Sequence, residues 1–156
     1  QSFFGEAILL NMPVRMRMEE TLSAYDNLKV YTLDTDRGFF SISASIGQQN
    51  ENIYDMTDEE ANNSMTYTLA QSGLFILKWK GFSIVNVNGK LFAEMNYYQY
   101  ASGGTLTTGD PIVVKILSYQ KKGTNVCASI SFGYDSCHEN LYKPLMEKII
   151  STIKIN

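Results

Sequence analysis

An α+β domain, an antiparallel sheet of hairpins flanked by helices, is predicted by three observations in the 156-residue chain. Short runs of alternating apolar residues recur along it, turn-forming residues separate those runs, and two longer stretches repeat apolar residues at helical spacing. Strands joined by tight turns make antiparallel hairpins, whereas parallel units need a helical crossover between every pair of strands. A chain of this length supports one core, so residues 1–156 are read as a single domain.

The first hairpin runs from Leu28 to Leu33, turns through "DTDRG", and returns with Phe40, Ile42, Ala44 and Ile46 on one face and Ser41, Ser43 and Ser45 on the other. In "MTDEEANNSMTYTLAQSG", Thr57 and Glu60 have the spacing of a capping box and Gly73 suits a left-handed helix stop. Ala61, Met65 and Leu69 give that helix a narrow apolar stripe for packing on a sheet. "LFILKWK" reads as a strand that Gly81 kinks or bulges before Phe82 to Val87 continue it. Asn88-Gly89 then demands a type I′ turn, because both residues tolerate positive φ.

"ASGGTLTTGDP" reads as an exposed connection, after which strands near Ile112–Tyr119 and Val126–Tyr134 are joined through "QKKGT". The terminal stretch places Leu141, Leu145, Met146, Ile149, Ile150 and Ile153 on one helical face. Ser136 and Glu139 have capping-box spacing, but Pro144 prefers a first helical turn, so the helix is expected from about Lys143.

The two-residue turn pairs Asn86 with Leu91, Ile84 with Ala93 and Phe82 with Met95, and this side, extended by Tyr97, is expected to be core. The opposite side carries Val85, Val87, Lys90, Phe92, Glu94, Asn96, Tyr98 and Tyr100. That mixture is too apolar for a plain solvated surface and too polar for a deep core. Three accounts fit it: cover by a second helical layer, a partner surface, or a small-molecule cleft. Val85, Phe92, Tyr98, Tyr100, Lys90 and Glu94 are the candidate binding residues.

Composition narrows the chemistry. Thirteen basic against sixteen acidic residues, with no basic stripe, argue against nucleic acid as partner. No run approaches the roughly 20 apolar residues of a membrane-spanning helix. Cys127 and Cys137 are too few for a disulfide framework and are expected as thiols. The single histidine, His138, lies in "DSCHE", where Cys137 near a helix start invites a nucleophile reading; sequence neighbours do not face one another, and a turn and capping role is the simpler one. "DTDRG" resembles the start of a calcium loop but has Gly38 and Ser45 where ligands are needed. Asp58, Glu59 and Glu60 complement a helix dipole. No catalytic residue, metal site or cofactor is therefore expected, and the chain is read as non-enzymatic.

The order of elements, and the segments "FFSISASI", "VNVNGKLFAEMNYYQY" and "ISTIKI", resemble the PsbP-like group, which includes photosystem assembly proteins, Ran-binding Mog-type proteins and DcrB-like envelope proteins. The resemblance implies a three-layer α/β/α sandwich and a binding or accessory role. The functional expectation is a protein-interaction module of the cell envelope, periplasm or secreted compartment, with another protein as partner. Two alternatives stand beside it: a carrier of a small hydrophobic ligand in an aromatic cleft, with "SGGTLTTGD" as a lid, and a secretion chaperone for a hydrophobic segment. Gln1 is either a mature N-terminus or a trimmed boundary.

Overall fold

The structure, a computed structural model, describes residues 1–5, 7–21, 23, 25–36, 38–101 and 110–156. The elements in chain order are β1 (Ser2–Phe3), β2 (Ile8–Leu9), β3 (Arg17–Met18), β4 (Leu28–Thr35), β5 (Gly38–Gln48), α1 (Asp58–Ala70), β6 (Leu74–Val87), β7 (Lys90–Ala101), β8 (Ile112–Gln120), β9 (Val126–Asp135), α2 (Glu139–Ile150) and β10 (Lys154–Ile155). Single 3₁₀ turns at Ile53–Asp55 and Ser136–His138 lead into the helices. The connection 102–109, expected to be exposed, lies outside the described residues.

The alternating runs form one antiparallel seven-stranded sheet ordered β3-β4-β5-β9-β8-β7-β6. Its register fixes the faces. One row reads Lys78, Tyr98, Val113, Tyr134 and Phe40; the next residue along puts Trp79, Tyr97, Val114, Gly133 and Ser41 on the reverse side. A second sheet, β1-β2-β10, ties the two ends of the chain together. The sequence reading of Gln1 to Asn27 contained no strand, because two-residue strands carry no readable period.

The main core lies between the Phe40 face, α2 and the small sheet. It gathers Phe3, Ile8, Phe40, Ile42, Leu117, Ile130, Phe132, Met146, Ile149 and Ile153, all buried. Each such side chain contributes about 1.5–3 kcal/mol relative to exposure. Tyr142 stacks on Phe40 at 5.6 Å between centroids and fastens α2 to this face. On the reverse face α1 packs over β6 and β7: Ala61 is fully buried, and the Tyr97 hydroxyl donates to Met65 Sδ at 3.6 Å. Helices therefore pack on both faces of the sheet, α2 on one and α1 over part of the other.

Local chemistry explains the ends. Thr57 Oγ1 accepts from the Glu60 N–H at 3.2 Å while Glu60 Oε2 accepts from the Thr57 N–H at 2.8 Å, closing the capping box and holding the Glu60 carboxyl below its ordinary range. Asn88 and Gly89 adopt φ of 51° and 83°, as a type I′ turn requires. The Asn88 side-chain amide also donates to the carbonyls of Ser151 (3.0 Å) and Ile153 (2.8 Å), satisfying acceptors just past α2.

The C-terminal helix differs from expectation. It begins at Glu139, not Lys143, and runs through Pro144. Burial of Tyr142, Met146 and Ile149 along one stripe outweighs the missing proline donor. Leu141, expected on the core face, is exposed because that stripe is centred one residue further on. No side-chain capping bond forms at the start of this helix or of the turn before it.

Candidate functional site

The β6–β7 hairpin buries part of each face, and of the three accounts left open for the Val85 and Phe92 side, cover by a helical layer holds around Phe92. Phe92 is 1 % exposed, with its ring 5.8 Å from that of Tyr119, and Val85 and Val87 pack on the same core cluster. Phe92 therefore belongs to the core, and its ring is unavailable to a partner. On the side expected to be core, Ala93 and Tyr97 are buried under α1, but Ile84 and Leu91 are exposed. The reason is coverage: α1 spans only part of the reverse face, whereas α2 and the N-terminal residues close over the other.

The remaining candidates do not converge on one patch. Glu94 forms an ion pair with Lys115 at 2.8 Å, both side chains 18 % exposed. Tyr98 lines a cavity of about 300 Å³ between the sheet and α2, together with Tyr134, Lys115, Lys143, Glu139 and Glu147. Burial, with the carboxylates of Glu139 and Glu147 nearby, pushes the Tyr134 hydroxyl up to about 12. Burial likewise pushes Tyr97 up to about 12. Lys90 sits at the hairpin tip with Nζ 5.9 Å from the centre of the Tyr119 ring.

Tyr100 leads to the feature that the sequence reading missed. Beyond the start of β8, the β6–β7 arm carries Phe75 and Tyr100 side by side, ring centroids 5.8 Å apart. Phe75 is 43 % exposed and Leu77 49 %. Leu77 and Lys80 are extra residues in β6, each opposed by no residue of β7, and Gly81 absorbs the second irregularity at φ +131°. Lys80 Nζ lies 5.2 Å from the centre of the Tyr98 ring, giving the apolar end a basic rim. Two large apolar residues two apart at the start of β6 were the available signal.

The "DSCHE" corner is structural. Asp135 Oδ2 accepts the Phe39 N–H at 2.8 Å, beside Gly38 at φ +82°. Cys137 Sγ lies 3.1 Å from His138 Nδ1, but desolvation and the carboxylates of Asp110 and Asp135 push the thiol up, away from the nucleophilic thiolate. Cys127 is also a free thiol, pushed up by burial. Among the described residues no three His, Cys, Asp or Glu side chains gather to hold a metal, and no helix is long and apolar enough to cross a membrane.

No protein-family model matches the chain, and no characterised protein matches its sequence. Solved structures do share its fold. Cyanobacterial PsbP (CyanoP) from Synechocystis superposes with a TM-score of 0.68 at 11 % identity, covering 100 % of this chain and 91 % of that one. The Ran-binding protein Mog1p of Saccharomyces cerevisiae superposes with a TM-score of 0.59 at 16 % identity, covering 99 % and 93 %. The chain thus has the α+β fold of PsbP and Mog1p.

Proposed function

We propose that the protein is a non-enzymatic protein-interaction module whose contact surface is the open end of the β6–β7 arm. The observation that carries this is the exposure of Phe75 and Leu77 beside Tyr100. Aromatic side chains such as Phe75 and Tyr100 are enriched at the centres of protein interfaces. The binding surface is thereby moved along the strand from Phe92 and Val85, which serve the core, while Tyr98 and Tyr100 remain on its inner margin. Ran binding by Mog1p, which shares the fold, supports a protein as the partner class. An extracytoplasmic location accompanies this reading and is checked by cell fractionation.

A photo-crosslinker placed at Leu77 in the native host tests the surface. It is expected to join one discrete polypeptide, which the same crosslinker at the fully exposed Val14 does not. Substituting Phe75 and Leu77 together by Ser should then weaken affinity for that polypeptide by about 2 kcal/mol or more, roughly 30-fold, as two hot-spot truncations do. Identical adducts from both positions, or unchanged affinity, would sink the reading.

A further inference from the structure

At the other end of the same hairpin, three segments enclose a cavity of about 600 Å³. They are residues 50–54, the Gly89–Leu91 turn, and Tyr119–Asn125 at the β8–β9 connection. Tyr54, Leu91 and Tyr119 are its aromatic and aliphatic lining residues, Tyr119 beside Phe92 on the core side of the sheet and Leu91 on the reverse, and Lys90, Lys121 and Lys122 line it as well. No acidic side chain lines it, in a chain whose net charge is −3. The ion pair described above, Lys115 with Glu94, involves none of these lysines, so their charge is uncompensated by any carboxylate within 4 Å among the described residues. Glu51 and Asp55 flank the segment without lining the cavity, and Asp55 Oδ2 is held by the Asn52 side-chain amide at 2.8 Å.

The cavity is built from polar groups that lock its three segments together. Gln120, 9 % exposed, accepts the Ile53 N–H at 2.9 Å and donates to the carbonyls of Gln49 (3.3 Å) and Glu51 (3.2 Å). The Tyr54 hydroxyl lies 3.0 Å from the Leu91 carbonyl, to which it donates, and accepts the Gln120 N–H at 3.0 Å. A cleft of this size, tied together by these bonds and offering Tyr54, Tyr119 and Leu91 among polar side chains, has the dimensions of a small-molecule site. Concentrated like charge in its lining selects the sign of the ligand.

We propose that this cavity binds a small organic anion with a flat apolar body. The body packs against the Tyr54 and Leu91 side chains, and the carboxylate or phosphate meets the lysines. The shared chemistry is an anionic head on an aryl or similar flat group.

Amide-resolved NMR of the whole chain tests this with 2-naphthoate, 2-naphthyl phosphate, neutral 2-naphthol and inorganic phosphate. At least one aryl anion is expected to give saturable shifts confined to residues 50–54, 89–91 and 119–125. 2-Naphthol and inorganic phosphate should each bind at least about tenfold more weakly, since each lacks half of the recognition. The stronger of the two aryl anions identifies the head group. Replacing Lys90 and Lys122 by Gln, both exposed, should weaken the aryl anion by about tenfold, and raising salt from about 50 to 500 mM should do so in the unmodified chain. Absence of saturable shifts at millimolar aryl anion, equal binding of 2-naphthol, or insensitivity to both the lysines and salt would each overturn the proposal. The Phe75 and Leu77 substitutions lie at the opposite end of the arm, so this site and the protein-contact surface fail independently.

Discussion

Phe92 and Phe75 offer a matched pair: the same side chain, on the same hairpin and the same face of the sheet, differing in cover. Phe92 is 1 % exposed within the core beneath α2, while Phe75 is 43 % exposed at the open end of the arm. Truncating a fully buried Phe to Ala costs roughly 3–5 kcal/mol, from lost transfer energy and from the cavity left behind. At Phe75 water fills the vacated space and part of the ring is already hydrated, so the cost is below about 1 kcal/mol. For a chain of this length about 2–4 °C of Tm follows each kcal/mol, so Phe92→Ala should lower Tm by about 6–20 °C and Phe75→Ala by less than about 4 °C. Urea unfolding with a common slope, read by circular dichroism, gives the two free energies directly. Comparable losses at both positions would refute the assignment of Phe92 to the core and Phe75 to the surface.

Two further outcomes follow from local geometry. At Gly38 an added Cβ would fall onto Asp135 Oδ2, at φ +82°, so Gly38→Ala should cost roughly 2.5–5 kcal/mol: about 1–2 for the left-handed backbone and the rest for displacing the carboxylate from the Phe39 N–H. In an Asp135→Ala background the cost should fall toward the backbone part, with the close approach to His138 Nδ1 remaining, and an equal cost in both backgrounds would rule out the clash. Alkali should destabilise the fold through Tyr97 and Tyr134, whose hydroxyls are raised to about 12 from an unfolded value near 10. A raised pKa stabilises fully below the unfolded value and is lost as pH rises through the folded one, so the urea midpoint should fall between about pH 10 and 12. A midpoint flat across that window, with phenolate forming in the intact fold, would contradict the burial of both rings.

Alternation and turn chemistry made much of the architecture legible. The Asn88-Gly89 turn, the Thr57–Glu60 capping box and the pairing of Phe40, Ile42 and Ala44 on one face depend on interactions within a few residues, which a linear reading contains. The candidate site was only half legible. Period-two spacing assigned Val85, Phe92, Tyr98 and Tyr100 to a common side and left three kinds of cover open for it. Cover is a long-range property: it comes from Tyr142, Met146 and Ile149 of α2 and from Phe3 and Ile8 at the other terminus, none of them adjacent in sequence to the hairpin.

By itself, then, the sequence determined which residues pair, which share a face and where turns and helix starts fall, because steric limits on φ and hydrogen-bond capping act locally. Tertiary structure decided the rest. Docking of α2 turned the aromatic face into core, the bulges at Leu77 and Lys80 left the end of β6 exposed, and Gln120 and Tyr54 drew three distant segments into one lysine-lined cavity. These outcomes depend on which surfaces meet when the chain closes, and burial and charge at a site are sums over all the segments that surround it.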